Sequence, residues 1–254
     1  MLNRITRFTA AIGTAFLAAA ALHAQAAHSP IKVQWLGHAA FEITSAGGTR
    51  ILVDPFLSGN PATPDSLKTL SRYHPAAILV SHSHSDHALD AKAIATASGA
   101  MVISAYEWVN TLGLPEKQAM GGNVGGTFKV GDVTVHVVPA MHSSDPGGRP
   151  VGFVLEFADG RTLYHTGDTW LFGDMALIQE MYHPNIILIG SGGGPYTQGP
   201  ADAKREIAKY FKPQVIVPMH YGTFPGLATE AQVRAGFAGD KRLQVMKPGE
   251  SRSF

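Results

Sequence analysis

A layered α/β fold in a single domain is what this sequence predicts, and three observations carry that expectation. Short β-type runs come first in hairpin-like pairs and later alternate with amphipathic segments, the pattern of sheets covered by helices. Beyond residue 26 no linker, low-complexity stretch or short repeat divides the chain. A length of 254 residues suits one large domain with a sizeable buried core.

The elements follow in order. Ile31–Leu36, Phe41–Ile43 and Arg50–Val53 read as strands, and Gly47-Gly48 marks a hairpin between the last two. Ala77–Val80 is apolar throughout, hence a buried strand. Residues 88–98 have the Ala content and spacing of a helix ended by Gly99. Met101–Ser104 reads as a strand, with a short helix near 105–112. Val133–Val138, Val151–Phe157 and Arg161–Tyr164 read as antiparallel strands, the last two joined through the turn Ala158-Asp159-Gly160. Helices near 174–182, 201–211 and 228–236 then alternate with strands Ile186–Ile189 and Val215–Val217.

Residues 1–26, MLNRITRFTAAIGTAFLAAAALHAQA, carry the marks of a secretory signal peptide. Arg4 and Arg7 open it, an apolar stretch runs from Phe8 to Leu22, and Ala24 and Ala26 form an A-x-A cleavage site. That stretch is shorter than the roughly 20 residues a spanning helix needs. The expectation is a mature domain over 27–254, periplasmic or secreted, with no stable membrane insertion after cleavage. The full chain has 20 Lys+Arg against 19 Asp+Glu; removing the leader's two Arg leaves 18 − 19 = −1. No basic stripe fit for nucleic acid is visible, so a small-molecule substrate is the expected partner; the oligomeric state is left open. The chain has no Cys, which excludes disulfides, thiolate nucleophiles and Cys-ligated zinc. Any metal site must use carboxylates and some of the 12 His.

The strongest chemical signal is His82-x-His84-x-Asp86-His87, directly after the buried strand 77–80. In an extended segment alternate side chains share a face, so His82 and His84 can grip one ion together. Asp86 and His87 fall where the chain turns into the next helix and can face a second ion. Later segments offer further donors just past strand ends: His142, Asp168 within HTGDT, and His220 within PMHYGTF.

These motifs resemble the metallo-β-lactamase superfamily, and more narrowly its bacterial metal-dependent hydrolases related to the ascorbate-phosphate lactonase group. The stretches that carry the likeness are WLGHAAFEI (35–43), ILVDPFLSGNP (51–61), SHSHSDH (81–87), GGNVGGT (121–127), HSS (142–144), HTGDTWLFGDM (165–175) and MHYGTFPG (219–226). The resemblance implies a four-layered αβ/βα sandwich with metals at one edge of the sheets. It assigns His82, His84 and His142 to one metal, Asp86, His87 and His220 to another, and Asp168 to both. Two divalent cations are then expected, zinc first and manganese second, since imidazole and carboxylate suit either. In the glycine-rich segment 190–200 this chain has Gln198 where relatives of this kind commonly carry Met, which bears on specificity if that segment lines the pocket.

Other residues near the motifs have two readings each. His38 either touches substrate or a ligand, or holds its own loop. Asp54 either orients a metal-ligating His through its second ring nitrogen or caps the turn before Pro55. His165 either supports the site, the preferred reading, or merely finishes its strand. Trp170, Phe172 and Tyr221 could wall an apolar pocket or belong to the core. His136, alternating with Val135 and Val137, belongs on the polar face of its strand, and His28, His74 and His183 are read as loop residues.

The expected function is an exported dinuclear metal-dependent hydrolase that uses a metal-bridging hydroxide on a lactone or other ester, with Asp86 as both ligand and proton acceptor. A phosphodiesterase stays open, as does a periplasmic metal- or ligand-binding protein without catalysis. A β-lactamase is disfavoured by Asp168, a nuclease by the leader and the charge balance, and a di-iron oxidoreductase by His84 standing where a carboxylate would be wanted.

Overall fold

Along β3 (Arg50–Val53), β4 (Ala77–Leu79) and β5 (Met101–Ala105), residues alternate between two apolar layers. Ile51, Val53, Ala77, Leu79 and Ile103 enter one buried cluster, while Leu52, Ile78 and Val102 enter another. A strand can feed two layers in this way only if both of its faces are covered, as period-two geometry requires. The computed structural model describes residues 30–145 and 147–254. The leader over 1–26 and the reading of His28 lie outside them.

One sheet has seven strands in the order β13-β1-β2-β3-β4-β5-β6. Here β1 is Lys32–Gly37, β2 is Ala40–Thr44, β6 is Ala119–Gly122 and β13 is Ser251–Ser253. The other has six strands in the order β12-β11-β10-β9-β8-β7. These are β7 (Thr127–Val130), β8 (Val133–Pro139), β9 (Val151–Glu156), β10 (Thr162–His165), β11 (Ile186–Gly190) and β12 (Val215–Met219). The larger apolar cluster joins residues of both sheets, among them Trp35 and Phe41 of the first and Phe153 and Leu163 of the second. Helix α2 (Ala91–Ser98) covers the outer face of the first sheet through Ala91, Ile94 and Ala95. Helices α4 (Met175–Tyr182), α5 (Pro200–Tyr210) and α6 (Glu230–Gly236) contribute Ile178, Ile207 and Val233 to the other side. The result is the four-layered αβ/βα sandwich that the sequence led us to expect.

Both expected hairpins form: β2 pairs with β3, and β9 with β10, each antiparallel. Gly99 ends α2 in the left-handed conformation. The helix expected over 88–98 is divided, however. Asp86 and His87 lie in a separate turn, α1 (Ser85–Ala88), and the break comes at Asp90. The Asp90 carboxylate accepts hydrogen bonds from the amides of Leu57 and Ser58 and from the Ser58 hydroxyl, tying the end of α1 to the loop after β3. The short helix near 105–112 is α3 (Tyr106–Val109) continued by a 3-10 turn, Asn110–Leu112. Among the described residues no helix is long and apolar enough to cross a membrane.

Candidate metal centre

The chemistry-bearing residues sit just beyond strand ends. His82 follows β4, His142 follows β8, Asp168 follows β10 and His220 follows β12. His38 stands in the bulged connection between β1 and β2, where the register shifts between Trp35 and Gly37. Three of these turns need an uncommon backbone: His38 (φ 56°), Asp54 (φ 44°) and His220 (φ 65°) are left-handed without being glycine. Such residues cost about 1–3 kcal/mol each and persist only where neighbours over-determine them. The neighbours are visible here. The His38 carbonyl accepts hydrogen bonds from the Trp35 indole (2.9 Å) and from the His220 amide (3.0 Å), so one oxygen locks two of the three turns together.

The donors converge in overlapping groups. Ligand atoms of His82, His84 and His142 lie within 4.8 Å of one another, as do those of His38, Asp86, His87 and His220, and those of His82, His87 and Asp168. Nε2 of His82 is 2.9 Å from Nδ1 of His84. Asp168 stands between the groups, with Oδ1 3.5 Å from His87 Nε2 and Oδ2 3.7 Å from His142 Nε2 and 3.0 Å from His220 Nε2. Yet Nε2 of His87, both ring nitrogens of His220 and Oδ1 of Asp168 are buried without a hydrogen bond. Buried polar atoms are rarely left so, and this many in one spot mark a place where a cation completes the bonding. Nitrogen and carboxylate oxygen donors, without sulfur, suit a divalent ion such as zinc or manganese.

Behind these donors lies a layer of fixed partners. His87 Nδ1 donates to Asp54 Oδ2 at 2.7 Å, which leaves Nε2 turned toward Asp168. Asp54 also accepts from the Ser81 amide and the Ser81 hydroxyl, both at 2.7 Å. The same hydroxyl accepts from His82 Nδ1 at 3.0 Å, so Ser81 and Asp54 orient two of the rings at once. His38 contacts Thr223 Oγ1 (3.0 Å) through Nδ1 and Asp86 Oδ2 (3.1 Å) through Nε2. His165 touches none of the donors. It donates from Nε2 to the Ala39 carbonyl (3.0 Å) and accepts the Gly167 amide at Nδ1 (3.1 Å), bracing the loop that carries Asp168 against the opposite sheet. That loop needs glycine at 167: φ is +59°, and a Cβ there would lie 2.8 Å from both Ser81 Cβ and the Val151 carbonyl oxygen. Gly192 is as tightly placed, because a Cβ would meet the His220 carbonyl oxygen at 2.3 Å.

Electrostatics sort the histidines into two kinds. Burial, reinforced by His220, lowers His38 to about 4, and burial also lowers His82, His142 and His165. Those imidazoles are neutral at pH 7, and His82 and His142 have lone pairs to offer. Burial opposes charge on His220 as well, but the Asp168 and Asp86 carboxylates outweigh it and raise it to about 9. His87, between Asp168 and Asp54, is raised for the same reason. Burial works against ionised Asp86 and Asp168, yet the surrounding histidines hold both well below the usual carboxylate range. A cation seated here competes with the protons on His87 and His220, so loading releases protons.

Above the donors opens a pocket of about 430 Å³ whose upper part is walled by Pro195, Tyr196, Phe224, Pro225 and Leu227. Its wall corrects one expectation. Tyr221 neither lines the pocket nor supports a donor; its ring packs on Trp35 (centroids 5.2 Å apart) and its hydroxyl reaches the Met246 carbonyl at 3.3 Å. Phe172 packs against the core and Trp170 is exposed; neither lines this pocket. The glycine-rich segment does line it, through Pro195 and Tyr196, but Gln198 is buried beneath and bonds Glu206 of α5 at 2.6 Å. Sequence reasoning missed Ser81, whose place beside His82 was a usable signal, and Thr223, Tyr196 and Phe224, which had none. His136 lies on the polar face of β8, bonded to Glu156 at 3.0 Å.

Comparison with known proteins agrees with this geometry. A β-lactamase superfamily domain profile matches residues 32–220. A UPF0173 metal-dependent hydrolase of Myxococcus xanthus is 46% identical over 252 residues, covering 94% of this chain and 88% of that protein. One from Thermococcus onnurineus is 41% identical, covering 87% of this chain and 98% of its own length. Among solved structures, Igni18, a metallo hydrolase from Ignicoccus hospitalis, superposes with a TM-score of 0.75 at 32% identity, over 89% of this chain and 98% of that one. The metallo-β-lactamase fold protein YhfI of Bacillus subtilis, at 15% identity and a TM-score of 0.69, shares the fold. The chain belongs to the metallo-β-lactamase superfamily, among its UPF0173 metal-dependent hydrolases.

Proposed function

We propose that this hydrolase is exported, holds two divalent cations, zinc by preference, and cleaves an ester or lactone of a small molecule. The observation that supports the dinuclear reading is the position of Asp168, whose carboxylate oxygens lie 3.7 Å from His142 of one donor set and 3.5 and 3.0 Å from His87 and His220 of the other. His82, His84 and His142 would hold one cation, Asp86, His87 and His220 the other, and Asp168 both. Cations so held supply Lewis acidity, lowering the pKa of water and polarising a scissile carbonyl.

The chain's own residues have separate tasks in this reading. Asp86, part-exposed to the pocket, takes the proton of the attacking water as its oxygen bonds the acyl carbon, and returns it to the leaving oxygen when the ester C–O bond breaks. His38, neutral at pH 7, steers the Asp86 carboxylate through the 3.1 Å contact. Ser85 and Ser143 line the same pocket, and their hydroxyls can orient polar atoms of the substrate.

Export rests on the leader over 1–26, and mature protein recovered from the periplasm should begin at Ala27. The deciding experiment for the chemistry measures metal content and turnover together, on aryl esters, lactones, phosphodiesters and β-lactams. Close to two ions per chain and chelator-sensitive ester or lactone cleavage are expected. One tightly held ion per chain, or turnover confined to phosphodiesters or β-lactams, would overturn the reading.

A further inference from the structure

We infer, on the reading that this centre cleaves an ester or lactone, that its substrate carries an uncharged apolar group beside the scissile bond, gripped between Tyr196 and Phe224. The pocket divides into two regions of different chemistry. Its floor is the cluster of His and Asp donors, with the hydroxyls of Ser85 and Ser143 beside it. Its upper wall is Pro195, Tyr196, Phe224, Pro225 and Leu227, and no Lys or Arg among the described residues lines it. All the charge available to a ligand therefore sits where the reacting bond must sit. A second charged group on the substrate, a phosphate above all, would leave water without a guanidinium or ammonium to meet it, at a cost in binding.

The apolar wall is built to make contact. Tyr196 is 61% exposed and Phe224 38%, although both are large apolar side chains that gain by being covered. Phe224 is held in place from behind: its ring lies 6.1 Å from that of Phe56 and 5.5 Å from that of His38, itself fixed by Thr223 and Asp86. Pro195 and Pro225 stiffen the chain next to each aromatic. Tyr196 is carried by a segment anchored from below through Gln198 and Glu206. Two aromatic rings lining a pocket of about 430 Å³ in all suit a phenyl or short alkyl group, and such pockets usually take most of their affinity from apolar walls. A phosphorylated lactone is disfavoured by the same wall.

The test uses metal-loaded full-length mature protein and 4-nitrophenyl esters that share a leaving group and differ in the acyl part: benzoate and butyrate against hemisuccinate. The benzoate and butyrate should show kcat/KM at least about tenfold above the hemisuccinate, by the affinity an apolar group gains on burial. Tyr196→Ala and Phe224→Ala should raise KM for the benzoate about tenfold, and Tyr196→Phe should restore it. Calorimetric binding of uncharged 4-phenylbutanamide, which needs no turnover, should weaken to a similar degree in both alanine variants. If esters are cleaved but the hemisuccinate is preferred, or if 4-phenylbutanamide binds both alanine variants as it binds the parent, the inference falls while the ester reading stands. If no ester or lactone is cleaved, the ester reading falls, and the calorimetry alone decides whether the wall is an apolar subsite.

Discussion

Glu206 offers a sharp test of the physics beneath the site. It lies on α5, fully buried, and its one hydrogen bond is to Gln198 Nε2 at 2.6 Å. Its other oxygen, the Gln198 Oε1 and the Tyr164 hydroxyl are all buried without partners. Burial pushes the Glu206 carboxyl up from 4.5 to about 8, against the smaller opposing effect of the Gln198 bond. Tyr164 is the titratable neighbour that feels its charge, and burial followed by Glu206 raises that hydroxyl as well. With the folded pKa above the unfolded one, the folded state holds the extra proton between those two values. Its stabilising effect is complete below pH 4.5 and is lost progressively as pH rises through about 8.

The shift spans 8 − 4.5 = 3.5 pH units. At about 1.4 kcal/mol per unit the full loss is about 5 kcal/mol, of which about 3 kcal/mol has accrued by pH 7. Glu206→Gln keeps the shape and an acceptor for Gln198 while removing the charge. The variant should therefore match the parent near pH 4.5 and exceed it by about 3 kcal/mol at pH 7, with the gap widening to pH 9. Urea unfolding of both proteins from pH 5 to pH 9 reads the difference directly, and every other titrating group cancels between them. A gap that stays constant with pH would show that Glu206 titrates as an ordinary carboxyl and that its burial is relieved by water.

Three further outcomes are expected. Asp54→Ala, which frees His87 Nδ1, should lower metal affinity about 10- to 100-fold, measured by competition with a chelating dye. Asp168→Ala should lower retention of both ions in metal analysis, whereas a loss of one ion alone would refute its bridging position. Asp86→Asn should keep the fold by circular dichroism and cut kcat/KM by about 10²–10⁴, while His136→Ala, on the far polar face of β8, should change it little; equal losses in the two variants would mean that stability is being read.

Much of the fold was legible because its strands obey simple periodicity. Ala77–Leu79 and Ile186–Gly190 are apolar throughout, and both are central strands covered on two faces. Three strands gave no such signal, each for its own reason. In β6 the sequence is AMGG, with glycines that let Tyr106 and Phe128 approach; a Cβ at Gly121 would lie 2.7 Å from the Tyr106 ring. In β7 four residues, TFKV, form an edge, and in β13 the residues SRS have no apolar side chain and pair with β1 through backbone alone. The donor cluster could be read because ligands must be His or Asp and must follow strand ends. Tyr196 and Phe224 could not, because nothing in the local pattern distinguishes an aromatic that walls a pocket from one that fills a core.

The centre is shaped by contacts that do not depend on a cation. His38 and His220 are strained at the backbone, and a single carbonyl joined to the Trp35 indole holds both in place. Asp54 is strained as well, and its carboxylate is fully used by Ser81 and His87. Strain of about 1–3 kcal/mol at each of three positions would relax if the supporting bonds were weak. Because they are buried and each serves two groups, relaxation at one turn would break bonds at another. The donors are thus aimed by bonds that each serve a second group, the support that a precise metal site needs. The same coupling reaches the pocket on the Phe224 side: Thr223 precedes that ring and bonds His38, so the wall and the donors share one anchor.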